Sequence, residues 1–179
     1  MTVAIGHKSD KTGRVVLDCL REFVPPFRPA SVVSEIAETL RHYKIQSITA
    51  DRYAGEWVVA AFKDVGVDVA PCPVSASDLY LEILPAINSG SVEFLDHKRM
   101  ISQFVGLERR TRSGGRDLIT HFPGAHDDLA NAAAGVFYVL TAGAVDVPYI
   151  GFTRHNIIGG PERPDVLSRA DIEEWDRNR

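Results

Sequence analysis

The sequence predicts an α/β fold in which helices cover a mixed sheet. Three observations predict it. Two apolar, strand-like segments joined by a Gly-containing turn open the chain. From Ser31 to Leu140, helical apolar periodicity alternates with short apolar runs. Hydrophobic residues make up 45% of the 179 residues and charged residues 25%, so the chain can bury a core and keep a solvated surface.

The elements follow in order. Met1 to His7 reads as a strand, Lys8 to Gly13 as a polar turn, and Arg14 to Phe23 as a second strand of an antiparallel hairpin. Pro25, Pro26 and Pro29 then interrupt regular structure. Ser31 is expected to cap a helix to about Lys44, with Val33, Ile36, Ala37 and Leu40 on its apolar stripe. Ile45 to Ala50 is a strand ending at Asp51. Ala54 to Val65 is a helix with Val58, Phe62 and Val65 on one face, closed by Gly66. A brief strand is expected over Val67 to Val69, halted by Pro71 and Pro73.

Ser77 to Asn88 is a helix despite Pro85 within it, and Val92 to Leu95 is extended. Lys98 to Val105 is helical. Leu107 to Arg110 and Asp117 to Thr120 flank Ser113-Gly114-Gly115 as a second hairpin with a basic tip. His126 to Leu140 is the most apolar helix, and Leu129, Ala132, Ala133 and Val136 are expected to bury it against the sheet. Residues 144–179 hold Pro148, Gly159, Gly160, Pro161 and Pro164, then a charged end, and read as a polar tail with one short helix near Asp171 to Trp175.

Several function classes drop out. No GxxxxGK[ST] phosphate loop occurs, so no P-loop ATPase is encoded. Cys19 and Cys72 form no CxxC pair, which leaves zinc and disulfide-framework readings unsupported. No apolar run is long enough to span a bilayer, and Val3 to Ile5 is too short for a signal-peptide core, so no membrane partner is expected and a cytoplasmic setting is. The formal net charge of -4 gives no global field toward nucleic acid, although a local basic strip suffices for DNA.

Three places can carry chemistry. Asp51, at the carboxyl end of a strand, sits where α/β sheets gather their ligands; it reads equally as the N-cap of the following helix. His126-Asp127-Asp128 opens the apolar helix. Two carboxylates there suit Mg²⁺ or Mn²⁺, which prefer hard oxygen donors, and suit the positive end of the helix dipole; the alternative is a cap followed by a solvated acid. Two carboxylate clusters on separate elements can hold divalent ions for phosphodiester hydrolysis, normally with a third ligand. Arg109, Arg110, Arg112 and Arg116 form the one concentrated basic patch, suited to phosphate backbone, with Glu108 and Asp117 as alternative ion partners. Asp18, between Val16 and Leu20, is read as facing solvent near a sheet edge, and His7, His42, His97 and His121 lack ligand spacing.

Five segments in order resemble one family. They are Asp51-Arg52-Tyr53-Ala54-Gly55-Glu56-Trp57, Ser77-Asp78-Leu79-Tyr80, Leu107-Glu108-Arg109-Arg110, Gly114-Gly115-Arg116-Asp117, and Gly124-Ala125-His126-Asp127-Asp128-Leu129-Ala130-Asn131-Ala132. Together they resemble the nuclease domain of the large subunit of tailed-phage DNA-packaging terminases, over about residues 1–143. The resemblance implies an RNase H-like mixed sheet flanked by helices, with residues 144–179 as a C-terminal tail. It implies a Mg²⁺- or Mn²⁺-dependent endonuclease, with two ions in a complete site, that cuts concatemeric double-stranded DNA during packaging in the host cytoplasm. By position, Asp51 would be the acid ending the fourth strand. Asp128, helped by Asp127, would be the acid on the last helix, His126 would support that turn, and Arg109, Arg110, Arg112 and Arg116 would lie near the DNA path. Partners implied beyond DNA are the terminase ATPase segment, the small subunit and the portal.

One departure accompanies the likeness. In the family the first catalytic Asp lies on a strand preceding the one that matches Met1 to Ile5. The expectation is therefore an N-terminally truncated sheet with two unpaired edges inside it and a site short of one acid. Asp10, in a turn, and Asp18, in mid-strand, are poor substitutes. The alternative function is a catalytically incomplete remnant that binds DNA or a packaging partner.

Overall fold

The computed structural model describes residues 1–51, 55–111, 117–141 and 149–151, the last three as backbone. The hairpin expected at the start is β1 (Thr2–Lys8) and β2 (Val15–Glu22), paired antiparallel. The register passes from Ile5↔Cys19 to Gly6↔Leu17 and so skips Asp18. That extra residue kinks the strand in the manner of a bulge, and the Asp18 carboxylate takes His7 Nδ1 at 2.7 Å. Gly6 is required at this kink. A Cβ there would stand 2.5 Å from Val16 O and 2.6 Å from Val136 Cγ1.

Helix α1 (Pro29–His42) starts two residues before the expected Ser31 cap. Pro29 occupies its first turn, where a missing N–H costs nothing, and Arg28 holds the cap position without a side-chain bond. Strand β3 (Ser47–Ala50), helix α2 (Glu56–Asp64) and strand β4 (Asp68–Pro71) follow. Val65, expected on the buried face of α2, lies just past its end and is 40% exposed. Pro71 belongs to β4 instead of halting it. β4 is an edge strand, where a residue without N–H is tolerated.

Helix α3 (Ala76–Asn88) contains Pro85 as expected, and Ser75 caps it by accepting from Asp78 N at 3.2 Å. Strand β5 (Val92–Glu93), helix α4 (Lys98–Val105), strands β6 (Leu107–Thr111) and β7 (Asp117–His121), and helix α5 (Asp128–Thr141) complete the expected series.

The gap expected inside the sheet is closed. Backbone of Tyr149–Gly151, in the segment read from sequence as polar tail, forms strand β8 between β1 and β3. It runs antiparallel to β1, with Thr2 opposite Gly151, and parallel to β3, with Thr49 opposite Tyr149. The strand order is β4-β3-β8-β1-β2-β5, and β6-β7 form a separate two-stranded sheet. The helix expected near Asp171 to Trp175 lies outside the described residues.

Two apolar layers sandwich the larger sheet. On one face Val3 and Ile5 meet Val32, Val33, Ile36, Ala37 and Leu40 of α1 and Val58 and Phe62 of α2. On the other, Ala4, Val15 and Leu17 meet α3, α4 and α5. Helix α5 is buried from Leu129 through Phe137. Its run of small residues, Ala130 to Gly135, lets its backbone approach the sheet closely, as the Val136–Gly6 contact requires. Among the described residues no helix is long and apolar enough to cross a membrane.

Candidate functional site

The carboxyl ends of β3 and β8 and the amino end of β1 meet at one end of the sheet. Asp51 follows β3 directly and is 9% exposed. It does not cap α2, because the cap position belongs to Gly55. The carboxylate instead faces α5, where Asn131 Nδ2 donates to Asp51 Oδ2 at 3.4 Å. Asp51 thus stands at the carboxyl end of its strand, facing α5.

The start of α5 is fixed by a residue that sequence reasoning missed. The first N–H groups of a helix have no partner within it. Here Gln103 of α4, itself buried, accepts from Leu129 N at 2.8 Å and Ala130 N at 3.0 Å through Oε1. That cap holds the first turn, and with it Asp128, against the end of the sheet. The Met1 ammonium donates to Phe23 O at 2.9 Å and lies in the field of Asp128 and Glu22. Burial lowers its pKa, while the Asp128 and Glu22 carboxylates oppose that shift. Glu22, at the end of β2, is itself held by Arg99 at 2.6 Å.

Asp127 turns to different neighbours. Tyr80 Oη donates to its Oδ2 at 3.0 Å, and His121 Nε2 lies 3.7 Å from its Oδ1. Its backbone carbonyl accepts from Asn131 N at 2.7 Å. His126 precedes the helix and is exposed. Tyr80 and Ser77 share the first turns of α3, and Ser77 Oγ accepts from Ile119 N at 2.9 Å. Helix α3 therefore anchors both Asp127 and strand β7.

The β6-β7 hairpin carries the arginines. Arg109 pairs with Asp117, and Arg110 Nη2 reaches Glu108 at 2.7 Å. These are the ion partners named as the alternative to DNA contact. The Arg109 hydrogen bond, followed by that of Thr111, holds Asp117 below the usual carboxylate range, and the same pair raises the Arg109 pKa. Arg112 and Arg116 lie outside the described residues.

Asp51 and Asp128 are thus brought to one end of the sheet through α5, and Asp127 is shared with the hairpin. Asp18 is tied to His7, and Asp10 lies in the β1-β2 turn at the opposite end. The oxygen donors suit a hard divalent cation, and Asn131 Oδ1, buried beside Asp51, has no hydrogen-bond partner. Among the described residues there is no group of three or more His, Cys, Asp or Glu able to hold a metal.

Comparison with solved structures places this architecture. The fold is similar to the large terminase nuclease from thermophilic phage G20c, with a TM-score of 0.59, 13% identity, and coverage of 79% of this chain and 81% of that chain. The same nuclease with bound magnesium gives 0.60, 15% identity, and coverage of 76% and 80%. The large terminase nuclease domain of Thermus phage P74-26 gives 0.60, 15% identity, and coverage of 78% and 79%. The expected fold class, an RNase H-like mixed sheet flanked by helices, is the one observed. No protein-family model and no curated protein sequence matches the chain.

Proposed function

We propose that this chain is a metal-dependent DNA endonuclease domain of the DNA-packaging type. The observation that carries the reading is the convergence of Asp51 and Asp128 at one sheet end, in the fold of phage terminase nucleases. One of those nucleases was solved with bound magnesium. Asp51 and Asp128 would hold Mg²⁺ or Mn²⁺, with Asp127 beside them and two ions when the donor set is full. When bound, such ions supply an activated water and stabilise a leaving phosphodiester oxygen.

The rest is done by the chain itself. Gln103 fixes the first turn of α5 and so aims Asp128. Tyr80 and His121 orient Asp127, and His126 supports the turn before it. Arg109, Arg110, Arg112 and Arg116 attract the phosphate backbone of double-stranded DNA without reading its sequence. Residues 1–143 make up most of the nuclease domain. Residues 144–179 would serve contact with the ATPase segment, small subunit or portal, in the host cytoplasm.

The test is Mn²⁺-dependent plasmid cleavage by the purified chain. Cleavage is expected, and loss of it in Asp51→Asn and Asp128→Asn. Cleavage that survives both substitutions would place the chemistry elsewhere and end this reading.

A second reading starts from the exposed arginines of the β6-β7 hairpin, Arg109 and Arg110. The chain would then bind DNA through the hairpin without cutting it. A folded chain that shifts DNA in a gel yet never nicks it in Mn²⁺ supports that reading over the first.

A further inference from the structure

Two buried side-chain polar atoms among the described residues have no hydrogen-bond partner, and both belong to the acid-bearing half of the molecule. They are Asn131 Oδ1 and Thr2 Oγ1. Leaving a buried acceptor unsatisfied costs about 1–3 kcal/mol, so such groups call for a reason. Thr2 begins β1 opposite Gly151. It shares a strand face with Ala4, which packs in the α5 layer.

Asn131 is the more telling of the two. It is 3% exposed, in a helix whose other inward residues from Leu129 to Phe137 are almost all apolar. It lies three residues after Asp128, so one helical turn sets both on neighbouring positions of α5. Its Nδ2 already faces the Asp51 carboxylate at 3.4 Å. Its Oδ1, on the same amide carbon as that Nδ2, is buried and has no hydrogen-bond partner. An amide oxygen is a hard, neutral donor of the kind that Mg²⁺, Mn²⁺ and Ca²⁺ accept beside carboxylates.

We propose that Asn131 is a metal-ligating residue, its Oδ1 supplying a third oxygen donor beside Asp51 and Asp128 to a divalent cation. The inference rests on the metal-dependent reading above and deepens it. A neutral third donor also has a physical advantage. Burying a third carboxylate next to Asp51 would cost more in the metal-free protein than burying an amide.

The test is calorimetric titration of the full chain with MnCl₂, with the Mn²⁺-induced rise in Tm as a second readout. Asn131→Leu removes the donor at nearly constant volume. It is expected to fold and to lose about 10–100-fold in Mn²⁺ affinity. Asn131→Asp is expected to bind Mn²⁺ more tightly than wild type while melting lower without it. If the wild type binds no Mn²⁺, the metal-dependent reading falls and this inference with it. If the wild type binds and the leucine variant binds equally, this inference alone is overturned. Should the leucine variant fail to fold, the aspartate variant decides, and an affinity equal to wild type refutes the ligand role.

Discussion

Asp51 is buried and met by Asn131 from a helix eighty residues away in sequence. Arg109 leaves 65% of its side chain in solvent and pairs with Asp117 on its own hairpin. The acid end of the sheet is therefore a product of tertiary packing. Its groups cannot move without disturbing α4, α5 and the sheet together. The hairpin's Arg109 and Arg110 are held by local pairs that solvent and salt weaken. A buried site of this kind can present donors in a fixed geometry. An exposed basic strip can instead exchange Glu108 and Asp117 for phosphates at small cost.

The largest expected effect breaks the acid end directly. Asp128→Asn should abolish Mn²⁺-dependent nicking while leaving the Tm without metal close to wild type. Arg110→Ala should slow nicking only in proportion to weakened DNA binding. Equal losses of metal-saturated, DNA-saturated turnover in both variants would erase the distinction between the two regions.

Next in size is Gln103→Leu. It strands two buried N–H groups at the start of α5. Each orphaned buried donor costs about 1–3 kcal/mol, so the loss should show plainly in urea unfolding. The same variant should lower Mn²⁺ affinity, because Asp128 rides on that turn. Unchanged unfolding midpoints would mean that α5 is positioned by its apolar packing alone. Tyr80→Phe is milder. It removes one hydrogen bond to Asp127, worth about 0.5–1.5 kcal/mol, and keeps the ring against Phe104.

These residues also mark how far the sequence could be read. The opening hairpin, the helices and the burial of α5 follow from local periodicity, turn chemistry and apolar stripes. Asp51 and Asp128 are visible because strand ends and helix starts are recognisable positions. Asn131 and Gln103 are not visible in that way. Each is a polar residue whose role appears only when another element reaches it. Strand β8 was hidden for a related reason. Three residues carry no measurable period, and Tyr149–Gly151 becomes a strand through the backbone groups that β1 and β3 present to it. The tail reading of residues 144–179 failed there because composition reports breaking residues and not pairing partners.

On the hairpin side the effects shrink. Arg109→Ala and Arg110→Ala should each change stability by no more than about 0.5 kcal/mol, as exposed substitutions do. Each should reduce the salt slope of DNA binding by about 1 if it meets a phosphate. A slope unaltered in both variants would leave the hairpin as a solvated structure with internal ion pairs.

The smallest effect is one of pH. Arg109 and Thr111 hold the Asp117 carboxyl below its ordinary value of 3.8. A carboxyl depressed on folding adds stability above its unfolded pKa, and that stability drains away as pH falls through the folded value. The group is exposed and screened, so the contribution is small. Asp117→Asn should therefore lower the Tm slightly at neutral pH and converge with wild type as pH falls below about 4, flattening the acid limb of the Tm–pH profile. The same substitution frees Arg109 from its carboxylate. If the hairpin serves DNA, the variant should bind DNA more tightly at neutral pH while melting no higher. Weaker DNA binding would instead show that Asp117 holds Arg109 in the orientation the backbone needs.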